Sequence, residues 1–150
     1  MMSILDLEKQ VCHSLYTTAN ALVRTYRPLL EPLDLTYPQY LVLLSLWQQD
    51  HVSIKQLVDH TRLDAGTLSP VLKRLEAKQL LQRQPDADDE RQKRIVLTRQ
   101  GQQLKQQAES IPAQLLCRFQ SGMSLAQALE LKQLCETMYQ ALTRFEDGED

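Results

Sequence analysis

Two sets of residues in this chain of 150 have types and spacings that carry chemistry. The first lies in Leu63-Asp64-Ala65-Gly66-Thr67-Leu68-Ser69-Pro70-Val71-Leu72-Lys73-Arg74-Leu75-Glu76 and, after a short apolar run, in Asp86-Ala87-Asp88-Asp89-Glu90-Arg91-Gln92-Lys93-Arg94. Thr67, Ser69, Lys73 and Arg74 share one side of a helix whose other side is Leu68, Val71, Leu72 and Leu75. Hydroxyls and cations so placed read base edges and fix phosphates in a DNA major groove. A helix face of this kind is ordinarily only solvated, and the charged hairpin that follows at the right distance tips the reading toward DNA. Thr61, Arg62 and Lys55 are candidates for backbone contacts, and Lys93 and Arg94 are either phosphate contacts or solvated charges. The second set is Cys12, Cys117 and Cys135. An odd, widely spaced trio forms no secreted disulfide framework and offers no C-x-x-C metal site, so in a reducing compartment these cysteines rest as thiols. A helical cysteine is ordinarily a small buried hydrophobe.

The elements that must position these residues announce their starts. Ser or Thr followed three residues later by Gln or an acid satisfies orphan helix N–H groups, and the pattern occurs at Ser3-x-x-Asp6, Thr36-x-x-Gln39, Ser53-x-x-Gln56 and Ser124-x-x-Gln127. A first helix is predicted over about 4–27, striped by Leu7, Val11, Leu15, Leu22 and Tyr26, with Pro28 near its end. A second over about 37–49 carries Leu41, Leu44 and Trp47, and a short third over about 54–60 turns Leu57 and Val58 inward. The reading helix spans about 65–78, capped by Asp64 or Thr67, with Pro70 required near its first turn. Strands at Leu80 to Gln84 and Lys93 to Leu97 flank the charged hairpin. A helix from Thr98 to about Phe119, bent or interrupted at Pro112, and another over about 125–145 complete the chain, with a frayed tail from Glu146. The expected class is mainly α, a winged helix-turn-helix unit at about 36–98 within a single domain over 1–150. The helices at about 1–30 and 99–146 carry stripes such as Leu125, Leu129, Met138, Leu142 and Phe145, which ask for a partner surface. A symmetric homodimer supplies that surface and sets two reading helices about 34 Å apart, one DNA turn, for a palindromic operator.

Composition narrows the classes. Net charge is −2, but Ser53 to Thr98 holds 9 Lys/Arg against 7 Asp/Glu, while residues 1–52 (3 against 5) and 99–150 (5 against 7) are each −2. The central excess is modest, so charge makes only a weak case for nucleic acid. No apolar run approaches a membrane span and no signal-type leader is present, so the expectation is a cytoplasmic protein without membrane contact. There is no Gly-rich phosphate loop, nucleophile elbow or zinc pattern, and His51 and His60 read as surface polar residues. No enzyme, metal or cofactor is expected.

Over nearly its whole length the chain resembles the MarR family of bacterial transcription regulators, and within it the branch of organic hydroperoxide resistance repressors. Leu35-Thr36-Tyr37-Pro38-Gln39-Tyr40-Leu41, the reading-helix segment, Asp89-Glu90-Arg91 and Gln10-Val11-Cys12-His13-Ser14-Leu15-Tyr16 carry the likeness. The departures are His13 for an aromatic, Asp34 and Gln79 for glycines, and Ala87 for a proline. The missing glycine at Gln79 removes the easiest left-handed exit from the reading helix. A titratable ring at His13 stands beside Cys12. The resemblance implies that Cys12 is the peroxide-sensing thiol, that Tyr26 and Tyr37 hydrogen-bond its thiolate, and that Tyr16 helps line the pocket. It implies that Cys117 resolves the sulfenic acid as a disulfide between subunits and that Arg91 enters the minor groove; Asp89, two residues earlier, is expected to orient Arg91 by a salt bridge. Cys135 has no family counterpart and reads as structural; pairings of Cys135 with Cys12 or Cys117 remain open.

The function expected on this basis is a repressor that binds a palindromic operator when reduced and leaves it when an organic hydroperoxide oxidises Cys12. Two alternatives stand beside it: a MarR regulator controlled by a non-covalent aromatic ligand, and a thiol-dependent antioxidant protein.

Overall fold

The computed structural model describes residues 5–144. A 3-10 turn, Leu7–Lys9, leads into α1 (Val11–Leu30), and a second, Glu31–Leu33, leads to α2 (Tyr37–Gln48). Then come β1 (Val52–Ser53), α3 (Ile54–Thr61), α4 (Ala65–Ala77), β2 (Leu81–Pro85), β3 (Lys93–Leu97), α5 (Arg99–Ala108), α6 (Ile111–Phe119) and α7 (Leu125–Thr143). The chain divides into two compact units, one reaching Ile111 and the other starting at Pro112. The Ser3 cap, Phe145 and the tail lie outside the described residues. Among the described residues no helix is long and apolar enough to cross a membrane.

In the first unit, helices α2, α3 and α4 and the β2–β3 hairpin form the expected winged helix-turn-helix. The inner face of α4 is fully committed: Leu68, Val71, Leu72 and Leu75 are all buried, joining Leu43, Leu46, Leu57, Leu81 and Ile95 in one core. Each such side chain contributes roughly 1.5–3 kcal/mol on burial, which fixes the face that α4 turns outward. The sheet runs β1-β3-β2, antiparallel throughout, with Leu81 opposite Leu97 and Pro85 opposite Lys93. Pro85, which lacks a ladder donor, sits at the end of an edge strand, where it is tolerated.

Several boundaries differ from the sequence expectation. The first helix starts at Val11 and not near residue 4, because the chain before it turns through Leu7–Lys9, pinned by a Lys9–Asp6 ion pair of 3.3 Å. It also continues through Pro28 to Leu30, the proline falling in its last turn. In α2 the buried residues are Tyr40, Val42, Leu43 and Leu46, with Gln39 and Ser45, while Leu44 is exposed and Leu41 and Trp47 are half-buried. That helix is apolar on every side, so periodicity could not choose its inner face; packing against α1, α3, α4 and α5 does. Strand β1 is new: Val52 pairs Ile95 and Ser53 pairs Arg94. The helix from Thr98, expected to bend or break at Pro112, is indeed interrupted, but at Glu109 and Ser110, with Pro112 in the first turn of α6, where its missing N–H is harmless.

Two turns explain residues that replace family glycines. Gln79, after α4, is left-handed at φ 59°, and Leu80 N–H reaches back to the Leu75 carbonyl at 3.0 Å. Asp34 is left-handed at φ 52°, with Leu35 N–H on the Leu30 carbonyl at 3.2 Å. Both are six-to-one helix exits of the type glycine favours, so the exit after α4 keeps its usual form without the glycine. Asp34 has a compensation: Lys78 donates to its carbonyl, pairs with its carboxylate at 3.2 Å, and reaches Gln39 Oε1 at 3.3 Å. Among the described residues, Gln79 has its backbone bonds and the Thr98 hydroxyl, which donates to its carbonyl at 2.6 Å, and no side-chain hydrogen bond.

Candidate nucleic-acid interface and thiol residues

The outward face of α4 carries Thr67, Ser69, Lys73 and Arg74, all exposed, as the sequence predicts. Asp64 is the cap: its Oδ1 accepts the Thr67 N–H at 2.8 Å and its Oδ2 accepts the Thr67 hydroxyl at 2.9 Å. Those two bonds, the backbone N–H first, hold the Asp64 carboxyl below the usual range. With its proton committed to Asp64, Thr67 faces outward as an acceptor. Pro70 is the sixth residue of α4, deeper than the first-turn placement expected. Its ring stands on the exposed face and leaves the Gly66 carbonyl without its usual donor.

On the hairpin, Arg91 and Lys93 are exposed and Arg94 is not free. Arg94 Nε donates to Asp86 Oδ2 at 2.5 Å and Nη1 to Gln56 Oε1 at 3.2 Å. Asp86 is 7% exposed, and its carboxyl is held below the usual range by the Asp88 N–H and then by Arg94. The expected salt bridge from Asp89 to Arg91 takes another form. Asp89 Oδ1 accepts the Arg91 backbone N–H at 3.0 Å, and among the described residues no ion pair joins the two side chains. A carboxylate two residues before an N–H closes a local turn at less entropic cost than immobilising a long guanidinium. Of the backbone candidates, Lys55 is exposed, whereas the Thr61 hydroxyl is spent within the fold, donating to the Leu57 carbonyl at 2.6 Å. Arg62 occupies the left-handed turn between α3 and α4 at φ 58°. His51 and His60 are both exposed, and His60 Nδ1 lies 2.7 Å from the Ser45 hydroxyl.

The three cysteines are free thiols, all exposed in the chain, on α1, α6 and α7. None is the buried hydrophobe that helical cysteines usually are. Cys12 sits in a stretch of α1, residues 11–21, in which every side chain is exposed, including Val11, Leu15 and Tyr16. Tyr26 and Tyr37 are brought together, ring centroids 4.6 Å apart, with Tyr40 at 5.8 Å from Tyr26 and Trp47 at 6.4 Å from Tyr40. Tyr40 was not among the expected site residues; its place one turn after Tyr37 on a capped helix was the available signal. Burial, then the neighbouring Tyr37 and Tyr40, pushes the Tyr26 phenol far up, and burial also raises Tyr37, so both remain O–H donors. Cys12 and Tyr26 lie on the same helix 14 residues apart, about 21 Å along its axis. Within one chain, that thiol and that phenol do not meet. Among the described residues no group of three or more His, Cys, Asp or Glu is placed to hold a metal.

The MarR family model matches residues 35–93, the reading unit built above. The organic hydroperoxide resistance transcriptional regulator of Bacillus subtilis (strain 168) is 40% identical over 92% of this chain and 90% of its own length. Among solved structures, reduced AbfR bound to DNA superposes with a TM-score of 0.76 at 30% identity, covering 93% of this chain and 94% of that one. Disulfide-formed AbfR superposes at 0.60 with 31% identity, covering 89% and 92%; AbfR is a protein of Staphylococcus epidermidis. By its family-model match over residues 35–93 and a relative matched nearly end to end, the chain belongs to the MarR family of transcription regulators.

Proposed function

We propose that this regulator is a homodimeric repressor that holds a palindromic operator when reduced and releases it when an organic hydroperoxide oxidises Cys12. The observation that carries the reading is the setting of Cys12: an exposed thiol in a wholly exposed, partly apolar helical stretch, about 21 Å along its own helix from the phenol cluster at Tyr26. Apolar surface at Val11, Leu15 and Tyr16, and at Leu125, Leu129, Leu134 and Leu142 of α7, asks for a second copy. A second copy also brings its own Tyr26 and Tyr37 to the thiol. Similarity to a hydroperoxide resistance regulator, and to a protein solved reduced on DNA and in a disulfide form, supports the same reading.

The Cys12 thiolate attacks the terminal peroxide oxygen. The S–O bond forms as the O–O bond breaks, and the departing alkoxide takes a proton and leaves as an alcohol; sulfur is oxidised by two electrons. The Cys117 thiolate of the second subunit then attacks the sulfenic sulfur, and the hydroxide that leaves takes a proton to become water. Thr67, Ser69, Lys73, Arg74, Arg91 and Lys93 contact the operator, with Lys55 on the backbone. The test is a titration of labelled duplex with reduced protein, with and without stoichiometric cumene hydroperoxide. The parent dissociates on oxidation and Cys12→Ser stays bound. Release of Cys12→Ser by peroxide removes Cys12 as the sensor and leaves control by a non-covalent aromatic ligand as the reading.

A further inference from the structure

The sequence offers Arg94, beside Lys93, as a phosphate contact or a solvated charge, and its surroundings fit neither role. Its guanidinium gathers groups from three places. Nε holds Asp86 in the wing loop at 2.5 Å, and Nη1 holds Gln56 of α3 at 3.2 Å and the His51 carbonyl before β1 at 3.4 Å. These partners are 8, 38 and 43 residues away. Each is fixed in its own right. Asp86 Oδ1 accepts the Asp88 N–H at 2.9 Å, while Asp86 N–H donates to the Gln92 carbonyl at 3.0 Å. Gln56 Oε1 also accepts the Ser53 N–H at 2.9 Å in the capping box that starts α3.

The position of this cluster matters more than its bond count. The strand pairing of β2 with β3 ends at Pro85 and Lys93, a single bond in the same register follows it from Asp86 N–H to the Gln92 carbonyl, and the loop beyond carries Arg91. On its other edge β3 is held by two residues of β1, the outer pair being Ser53 with Arg94 itself. A hairpin that overhangs its sheet pivots at the last ladder rung, and Arg94 is one residue from that rung. Arg91 lies three residues further on, within about 10 Å, the reach of three residues of extended chain. We propose that Arg94 is a positioning residue: with Asp86 and Gln56 it clamps the base of the wing to α3 and so sets where Arg91 meets DNA. The inference rests on the DNA-binding reading above and adds a role to a residue that reading leaves without one.

Charge makes the test decisive. If Asp86 acted on DNA only through its field, removing its negative charge would strengthen binding to a polyanion. As half of a clamp, its loss weakens binding. The probe is a fluorescein-labelled duplex selected by the reduced full-length protein from a randomised pool. Asp86→Asn and Arg94→Gln are each expected to lose at least about tenfold in affinity, since a groove arginine is misplaced in each subunit of the dimer. The double variant loses no more than either single one, and the dependence of log K on log salt keeps the parent slope. Asp86→Asn binding as tightly as the parent, or a slope about two smaller in Arg94→Gln, one contact for each subunit of the dimer, overturns the clamp in favour of a direct phosphate contact. Hydrogen exchange read by NMR on the free protein supplies a second measurement. The Asp86, Asp88 and Gln92 amides lose protection in Arg94→Gln while those of α4 keep it; unchanged wing protection refutes the clamp. Failure of the parent to select any duplex would fall on the DNA-binding reading, and the exchange measurement would still decide the clamp.

Discussion

Gly101→Ala tests the packing that seats α5 on the winged unit, and its sign is diagnostic. Gly101 is the third residue of α5, where alanine is ordinarily the better helix former by about 1 kcal/mol. Here an added Cβ would meet the Leu80 carbonyl oxygen at 2.0 Å and Leu97 Cδ2 at 3.1 Å. A carbon and a carbonyl oxygen ordinarily approach to roughly 3.3 Å, so backbone must yield by more than an ångström. Leu80 is not free to yield, because its carbonyl accepts the Thr98 N–H at 3.1 Å. Nor is Gly101: the Thr98 hydroxyl caps its N–H at 3.0 Å, and Trp47 Nε1 donates to its carbonyl at 2.9 Å. Overpacking of this kind costs roughly 1–3 kcal/mol, and losing one or two of these hydrogen bonds adds about 1 kcal/mol each. Set against the propensity gain, the net loss is about 3 kcal/mol, or roughly 6–12 °C in Tm for a chain of this size. Trp47 is the sole tryptophan, so urea unfolding followed by its fluorescence at fixed protein concentration reads the joint directly. A variant as stable as the parent, or more so, would show that the close approach of Gly101 to Leu80 does not hold the fold.

Gln79→Gly is expected to raise stability by about 1 kcal/mol in the same assay, because it relieves a left-handed residue whose side chain makes no hydrogen bond or ion pair among the described residues, whereas Asp34→Gly gains less because it forfeits the Lys78 ion pair. Asp64 and Asp86 both titrate below the ordinary carboxylate value near ~3.9, so the unfolded chain binds more protons in that window; stability is full above about pH 4 and falls as pH drops through the folded values. Asp86→Asn should therefore be less stable than the parent at pH 7 and show a shallower loss on acid titration by circular dichroism. If the phenols serve the thiol across a dimer, mixing Cys12→Ser with Tyr26→Phe subunits restores fast oxidation of one thiol per mixed dimer, measured by sulfenic-acid trapping; mixtures no faster than Tyr26→Phe alone would refute service in trans.

What was legible in the sequence was local. Thr36, Ser53 and Ser124 each accept the N–H of the glutamine three residues on, and each glutamine reaches back, so three boxes read from four-residue patterns stand as written. The buried face of α4 follows from period alone, since Leu68, Val71, Leu72 and Leu75 have no apolar rival on that helix. Features that depend on distant partners were not legible. A two-residue strand such as β1 has no periodicity and exists because β3 offers it a register. Gln79 and Asp34 look wrong for a left-handed exit until the bonds that close each turn are seen. Arg94 looked like one more cation, because only the hairpin register brings Asp86 beneath it and only the docking of α3 adds Gln56.

The same distinction bears on how a thiol reaction is felt by the reading helix. Tyr26 belongs to α1, the helix that carries Cys12, and Tyr37 is the first residue of α2, which opens the winged unit. Their rings, tilted by 33° and 4.6 Å apart, are therefore a packing joint between the two elements as well as the proposed thiolate donors. Tyr40 touches Tyr26 from one turn further into α2, and Trp47 continues the aromatic line to the Gly101 carbonyl at the head of α5. On the proposed reading, a thiol of the second subunit that becomes a sulfenic acid or a disulfide gives up its hydrogen bonds at this joint. The winged unit then feels the change through α2, with no separate relay required. Close-packed aromatic joints shift between discrete arrangements rather than bend smoothly, so a small local loss there can reset the angle at which α4 is presented.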